Sequence, residues 1–246
     1  MANNKPHICF ERVIPPRYTK IARQKAIAEN PTNANSSTFE AAVLRSKLWK
    51  PGRTLHVTFL DGHPVVQTKV ESYAHIWSQY ANITFAFGFD LNAEIRISFK
   101  DEGSWSAIGT DALIEEYYPP NTPTMNYGWL TPDSPEKDYS SVMLHEFGHA
   151  LGMIHEHQNP ANPIQWNEQV VIAALSGPPN FWDKQTVHSN LFEYYERSRT
   201  QFTHFDAQSI MLYSFPKEWT RNAMEFPVNY TLSQTDKDFI KARYPQ

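Results

Sequence analysis

The sequence has very little cysteine: Cys9 is the only one in 246 residues. A single cysteine excludes any disulfide within the chain, so stability must come from packing. The sequence also has no apolar run that approaches the roughly 18 residues of a membrane span, and its first residues lack the hydrophobic region of a signal peptide. We therefore expect no membrane span.

A large excess of charge of either sign is missing as well. The formal net charge is −4 at pH 7, and there is no long run of Lys or Arg. This balance argues against nucleic acid or an anionic membrane as the main partner. With 41% hydrophobic residues, the chain can build one large domain or two closely packed lobes, and we expect a monomer. Its location stays open between secretion, with the signal peptide removed, and the cytoplasm.

The most informative stretch lies just past the middle of the chain and reads His145-Glu146-Phe147-Gly148-His149-Ala150-Leu151-Gly152-Met153-Ile154-His155-Glu156. Residues four apart on an α-helix project from one face, so His145 and His149 can meet one metal ion. Gly152 can end this helix because Gly adopts a positive φ without strain, and the turn then brings His155 back. Three neutral nitrogen donors that leave a fourth tetrahedral position for water are typical of catalytic zinc. The predicted cofactor is one Zn²⁺.

Glu146, directly after the first histidine, is placed to act as general base. The ion would lower the pKa of a water molecule toward about 7, and the carboxylate would take its proton. A His-Glu-x-x-His pattern by itself also occurs by chance in ordinary helices. Here the glycine, the third histidine and the following Glu156 also fall in place, which favours a catalytic zinc site over a chance match.

This stretch resembles the signature of the metzincin peptidases, and Glu156 directly after the third histidine resembles the astacin branch of that clan. The resemblance implies a zinc-dependent endopeptidase with proteins or peptides as substrates. It also implies a methionine turn (Met-turn) in the segment 209–213, with Met211 as the apolar floor beneath the metal. By the same resemblance, Tyr213 stabilises the tetrahedral intermediate, while Gly152 and Glu156 support the site.

Hydrophobic periodicity predicts the secondary structure around this site. Apolar spacing predicts helices over 64–80, 166–175 and 181–195, and the Ser233-x-x-Asp236 start resembles a capping box for a helix that runs to Tyr244. Alternation predicts five strands, over 54–60, 83–87, 93–99, 103–109 and 124–130. The predicted fold class is α+β and zincin-like. A twisted mixed five-stranded sheet and the active-site helix form an upper lobe, and a mostly helical and irregular lower lobe carries the Met-turn and the C-terminal helix.

The predicted organisation is an N-terminal extension, 1–40, followed by a catalytic domain, 41–246, whose upper lobe runs to about residue 152 and whose lower lobe is 153–246. The turn-rich run 30–37 is interpreted as a linker. The extension is a candidate pro-segment. Cys9 is a candidate latch, because a thiolate is an excellent zinc ligand and could displace the catalytic water. The alternative is a free or buried thiol.

Substrate binding is predicted from the resemblance. The stretch Ser104-Trp105-Ser106 matches the astacin edge strand that borders the cleft, where an extended peptide can pair through its main chain. Many astacins prefer an acidic residue just past the scissile bond, so Lys217 or Arg221 is a candidate for that pocket. The alternative for both cations is a solvent-exposed position.

The sequence leaves two alternative functions open and departs from the family in one feature. Typical astacins carry two disulfides that this chain cannot form. A serralysin-like peptidase is disfavoured by Glu156 and by the absence of glycine-aspartate calcium repeats. A catalytically latent zinc-binding effector or binding protein is disfavoured by the retained base Glu146. His157 is treated as a neighbour of the site and not as a ligand.

Overall fold

The computed structural model describes residues 8–35, 47–193 and 204–246. The strands are β1 (Arg53–Phe59), β2 (Ile83–Phe87), β3 (Ile95–Ser98), β4 (Ser104–Ser106) and β5 (Met125–Tyr127). The α-helices are α1 (Thr19–Glu29), α2 (Pro64–Ser78), α3 (Glu136–Ala150), α4 (Glu168–Leu175), α5 (Lys184–Val187) and α6 (Gln234–Arg243). A π-helical turn (His188–Phe192) follows α5, and 3₁₀ turns lie at Pro16–Tyr18, Pro31–Asn35, Gly109–Leu113, Glu156–Gln158 and Lys217–Trp219.

The five strands form one mixed sheet in the order β2-β1-β3-β5-β4. All neighbouring pairs are parallel except β4 with β5, and β4 lies at the edge. In β1, Leu55 and Val57 are fully buried while His56 between them is exposed, as the two-residue period of a strand with one covered face requires. The predicted five-stranded mixed sheet and the α+β class are confirmed.

Helix α2 packs its apolar stripe against the sheet and against α3. The helix begins where the His63 side chain accepts a hydrogen bond from the Val65 N–H at 3.2 Å, and Pro64 fits the first turn because it has no N–H to satisfy. Its buried positions follow helical spacing: Val66, Val70, Ala74 and Trp77. Trp77 Nε1 donates to the Leu144 carbonyl at 3.0 Å, which fixes α3 against α2.

Two hydrophobic clusters make up the described core. The larger one lies between the sheet, α2 and α3, and it also takes in Ile240 and Tyr244 from the end of the chain. The smaller one is built around Trp166, Leu191 and Phe215. The C-terminal helix α6 begins with the predicted capping box, in which the Ser233 and Asp236 side chains each accept a hydrogen bond from the backbone of the other residue. Its residue Ile240 packs in the larger cluster.

The expectation of a linker over 30–37 was wrong for its first residues. Asn30 Nδ2 donates to the Trp49 carbonyl at 3.0 Å, and Asn33 Nδ2 donates to the carbonyls of Ala26 and Leu48, both at 2.9 Å. Both asparagines are buried, and these hydrogen bonds satisfy their side-chain N–H groups. Residues 36–37 lie outside the described ranges. Helix α1, just before this run, was not predicted from the sequence.

The predicted helix over 181–195 is shorter in the structure. Asp183 caps α5 by accepting from the Thr186 N–H at 2.7 Å, and the π-helical turn ends before Glu193, which is extended. Residues 194–195 lie outside the described ranges. None of the helices within those ranges has the length and apolar character that crossing a membrane requires.

Candidate metal centre and active site

Helix α3 ends in a hydrogen-bonded turn that redirects the chain toward the site. Gly152 has φ +90°, its N–H donates to the His149 carbonyl at 2.8 Å, and the Met153 N–H donates to the Gly148 carbonyl at 3.0 Å. These two bonds define a Schellman motif, which needs a left-handed residue where this chain has glycine. The predicted glycine stop is confirmed, and the turn returns His155 to the helix.

The three histidines of the motif converge through their Nε2 atoms. His149 Nε2 lies 3.1 Å from His145 Nε2 and 3.0 Å from His155 Nε2. The outer nitrogens of the two helical histidines face carbonyl oxygens: His145 Nδ1 lies 2.8 Å from the oxygen of Ile210, and His149 Nδ1 lies 2.9 Å from that of Met153. A proton on Nδ1 leaves the lone pair of Nε2 free for a metal ion.

The donor set fits zinc. Two nitrogens at about 2.0–2.1 Å from one tetrahedral ion would be about 3.3 Å apart, close to the observed separations. Burial lowers the pKa of His145 to about 4, and burial followed by the other imidazoles lowers the pKa values of His149 and His155 well below the usual value. The three rings are therefore neutral, as zinc ligands must be.

Glu146 points into the same site. Its side chain is fully buried, and within the described ranges its Oε1 atom has no hydrogen-bond partner. Its Oε2 atom accepts the thiol of Cys9, with Sγ at 3.4 Å. Burial raises the pKa of Glu146 to about 8. A buried carboxyl with one free oxygen beside three imidazoles is suited to exchange a proton with a group bound there.

The segment that carries Met211 and Tyr213 closes the site from the other side. Glu156 N–H donates to the Met211 carbonyl at 3.0 Å, and Glu156 Oε1 accepts from Asn159 Nδ2 and from the Asp206 N–H, both at 2.9 Å. Glu156 therefore ties the turn after His155 to this segment. The Tyr213 ring centroid lies 4.3 Å from that of His155 and 4.4 Å from that of His157.

His157 is a neighbour of the site and not one of its converging donors. Its Nε2 atom lies 2.7 Å from the Asn190 carbonyl oxygen, and its ring stacks on His155 with centroids 5.1 Å apart. It is fully buried. This position agrees with the prediction from the sequence that His157 is a neighbour of the site and not a ligand.

Comparisons with known proteins agree with this geometry. The sequence profile of the matrixin peptidases, Peptidase M10, matches residues 62–167. The comparison with curated proteins found no match. A solved structure of myroilysin is 44% identical to this chain, with 82% of this chain and 98% of that chain covered and a TM-score of 0.78. The chain belongs to the metzincin zinc metallopeptidases.

Two further structures resemble this metzincin. A second structure of myroilysin is 42% identical, with 82% of this chain and 87% of that chain covered and a TM-score of 0.64. High choriolytic enzyme 1, a hatching enzyme zinc-protease from the medaka fish Oryzias latipes, is 18% identical over 81% of this chain and 94% of its own, with a TM-score of 0.53. The latter likeness concerns the fold. Metzincins are zinc-dependent endopeptidases that act on proteins, so both the function and the cofactor predicted from the sequence are confirmed.

In this metzincin, residues 8–14, which we call the N-terminal arm, run through the site. The Phe10 N–H donates to the Ser104 carbonyl at 2.9 Å, which pairs the arm with the edge strand β4. Tyr213 Oη donates to the Cys9 carbonyl at 2.5 Å. One ligand atom from each of Cys9, His145, His149 and His155 lies within 4.8 Å of all the others. The arm therefore places a thiol beside the three imidazoles.

A cavity of about 730 Å³ opens beside Cys9, His145 and Glu146. Its described lining is largely apolar and includes Val142, Ile210, Leu212, Phe215, Phe226 and Val228. Besides Glu146, the described lining includes the acidic side chains Asp138 and Glu225. Lys217 and Arg221 are exposed and lie outside this lining, so the structure gives no support to a basic pocket, and that idea stays a prediction.

Gly148 allows α3 to lie close to Met211. A Cβ atom at this position would collide with Met211 Sδ and would also meet Trp77 Cζ2 at 3.3 Å. Met211 is 1% exposed and Trp77 is fully buried, so neither side chain can move to solvent. We expect Gly148→Ala to lower the free energy of unfolding by about 1–3 kcal/mol, because the overpacked helix must shift. Urea unfolding of the metal-free protein would measure the change.

Gly88→Ala is the matched control for this substitution. A Cβ atom at Gly88 meets nothing within 4 Å, so we expect a change within about 0.5 kcal/mol. Equal losses in both variants would contradict a close fit between α3 and Met211.

Proposed function

We propose that this metzincin is an astacin-like endopeptidase whose active site is closed by its own N-terminal arm. The observation that carries the proposal is the Cys9 thiol beside the three imidazoles. Two sequence features support the astacin-like branch: Glu156 follows the third histidine directly, and Tyr213 stands two residues after Met211. The fold likeness to the hatching enzyme agrees with this placement.

The roles of the site residues follow from their positions. His145, His149 and His155 hold the zinc ion, which supplies Lewis acidity when bound. Glu146 takes a proton from the attacking water and passes it to the leaving amine. Without a metal ion, burial raises the pKa of Glu146 to about 8. A bound cation would lower this pKa, so the carboxylate could accept the proton near neutral pH. Met211 is proposed as the apolar support of a Met-turn, because its Sδ atom packs against Gly148, next to His149 in the sequence.

Tyr213 is proposed to stabilise the oxyanion. Its hydroxyl already donates to a peptide carbonyl, that of Cys9, and its ring packs against the rings of both His155 and His157. A substrate carbonyl in the same place would receive the same hydrogen bond. A donor aimed at the oxygen that gains negative charge lowers the barrier to acyl transfer.

Substrates are proposed to bind along β4. The Ser104 carbonyl accepts from the Phe10 N–H of the arm, which supports this proposal, because an extended substrate could use the same acceptor once the arm has left. Ser104, Trp105 and Ser106 are all buried at 3% exposure or less. The arm must therefore leave before a substrate can pair there. We propose residues 1–40 as the pro-segment of a zymogen and residues 41–246 as the catalytic domain, with its two lobes meeting near residue 152.

The Cys9 thiol closes the metal site as a fourth protein donor. Four protein ligands are typical of a structural zinc, whereas a catalytic zinc keeps one position open. Burial, followed by the neighbouring Glu146, raises the pKa of the Cys9 thiol, which therefore stays protonated and donates to Glu146 unless a cation favours the thiolate. The arm would thus hold the enzyme latent for as long as the thiolate occupies the ion.

Replacing Cys9 tests this proposal. In the full-length chain loaded with zinc, we expect Cys9→Ala to raise the rate of casein cleavage at least about tenfold. Loss of the thiolate opens the ligand position that catalysis needs and removes one of the contacts that keep the arm on β4, so the arm can leave and a substrate can bind. A chelator should abolish the gained activity. Mass spectrometry of the active sample would establish whether residues 1–40 are still attached.

Val13→Ala is the matched control, since Val13 lies on the same arm and its side chain is exposed. This variant should remain as inactive as the parent. Equal activity of the parent and Cys9→Ala, with the arm intact in both, would refute the latch.

A further inference from the structure

The three imidazoles differ in the group that contacts their Nδ1 atom. The Nδ1 atoms of His145 and His149 face backbone carbonyls of Ile210 and Met153, both within the proposed catalytic domain. His155 Nδ1 instead lies 3.2 Å from Glu11 Oε2, a carboxylate on the N-terminal arm. One of the three zinc-binding rings is therefore oriented by a residue 144 positions away in the sequence.

Glu11 is built into this position. Glu11 is 4% exposed, and its backbone N–H donates to Asn190 Oδ1 at 2.7 Å. Asn190 is 1% exposed and is itself fixed, because its Nδ2 donates to the Thr186 carbonyl at 3.0 Å. Burying a carboxylate is costly unless it is hydrogen-bonded. The contact with His155 meets that requirement.

Cys9 and Glu11 reach the site from the same side of the arm. Residues two apart on an extended chain project in the same direction, and the residue between them projects the opposite way. Cys9 and Glu11 both face the histidines, whereas Phe10 packs edge-on against Trp182 with ring centroids 5.9 Å apart. One short stretch thus places a thiol beside the three imidazoles and a carboxylate beside the outer nitrogen of His155.

We propose that Glu11 is a positioning residue of the latent zinc site. It accepts the Nδ1–H of His155, fixes the orientation of the ring and makes Nε2 a stronger donor. This inference rests on the proposed function, in which His155 binds zinc and Cys9 closes the site. The arm then contacts the metal centre through both Cys9 and Glu11. Removing the arm takes away the carboxylate behind His155 and leaves the longer contact of 3.5 Å between Tyr213 Oη and His155 Nδ1. The latent form should therefore retain zinc more firmly than the form without the arm.

The rate of zinc release to a chromogenic chelator tests the proposal in the full-length chain. We expect Glu11→Ala to release zinc about 10- to 100-fold faster than the parent, because loss of a carboxylate behind a ligating histidine weakens metal binding by that order. Glu11→Gln keeps an acceptor oxygen without the charge, so its rate should fall between the two. A rate in Glu11→Ala equal to that of the parent would overturn the proposal.

Arg12→Ala is the control for general loosening of the arm. The Arg12 guanidinium stacks on Trp105 at 3.5 Å from the ring centroid and pairs with Asp101 at 3.7 Å, without touching His155. Loss of such a partly exposed pair should change the release rate by less than about fivefold. If Arg12→Ala accelerates release as much as Glu11→Ala, then Glu11 acts only by securing the arm, and the proposal is wrong.

Cobalt substitution separates this inference from the proposed latch. A thiolate bound to Co²⁺ gives a charge-transfer absorption band, which should be present in the parent, in Glu11→Ala and in Glu11→Gln, and absent in Cys9→Ala. A band that persists in Glu11→Ala with unchanged zinc release refutes the role of Glu11 and leaves the latch standing. Absence of the band in the parent refutes the latch, and with it the proposal that Cys9 and Glu11 of the arm together stabilise the latent zinc site.

Discussion

Glu146→Ala is expected to lower kcat/KM for casein cleavage by about 10²- to 10⁴-fold, the usual loss when a general acid–base group is removed. The measurement should use the active form, either processed enzyme or the Cys9→Ala background. The zinc content should remain near about one ion per chain, because the three imidazoles stay in place. Glu146 is fully buried, and one of its carboxylate oxygens has no hydrogen-bond partner among the described residues, as expected of a group that is kept available for proton transfer.

Glu116→Ala, on an exposed glutamate away from the site, is the control and should leave cleavage unchanged. Retained cleavage in Glu146→Ala would show that another group serves as the base. Loss of zinc together with cleavage would show that Glu146 supports the metal site instead. Absence of cleavage in every form, including Cys9→Ala, would favour the zinc-binding effector that the sequence left open.

Lys47→Ala is expected to lower the free energy of unfolding by about 3–5 kcal/mol, the typical cost of leaving one member of a buried ion pair alone. Lys47 Nζ lies 2.6 Å from Asp111 Oδ2, and the two side chains are 8% and 2% exposed. The pair ties the chain before β1 to the 3₁₀ turn at Gly109–Leu113, where the Thr110 N–H also donates to the Lys47 carbonyl at 3.0 Å. Urea unfolding at pH 7 would measure the loss.

The sign of the pH dependence follows from Asp111. Burial raises the pKa of Asp111, while Lys47 opposes that rise. Without Lys47 the folded protein binds a proton at Asp111 more readily than the unfolded chain does, so stability falls as pH rises above the unfolded pKa of about 4. The variant should therefore regain part of its stability relative to the parent as the pH is lowered toward about 4.

Lys69→Ala provides the exposed counterpart of this ion pair. Lys69 Nζ lies 2.7 Å from Glu136 Oε2, with side chains 35% and 61% exposed, so its loss should cost no more than about 1 kcal/mol. Equal effects of the two lysine substitutions would contradict the buried pair. In the double variant Lys47→Met with Asp111→Leu, part of the loss should be recovered, because no buried charge remains.

The convergence of the three histidines could be predicted from the sequence because their geometry is local. A four-residue spacing on one helix and a glycine where the Schellman motif needs a left-handed residue place three imidazoles within a short stretch. The role of Cys9 could only be suggested from the chemistry of a thiol. Its contact with Glu146 spans 137 residues, and no spacing rule covers that distance. Glu11 and Asn190 were not predicted, since the sequence gives no sign that their side chains meet the site.

The sequence by itself determined the elements: the alternation of β1, the apolar stripe of α2, the stop at Gly152 and the capping box at Ser233. Each depends on residues within a few positions of one another, so backbone geometry and side-chain period fix it. Only the tertiary structure decided that the N-terminal arm pairs with β4, and that a thiol and a carboxylate from that arm meet the histidines. These contacts depend on the path of the whole chain, because burial of two hydrophobic clusters sets which distant segments come together.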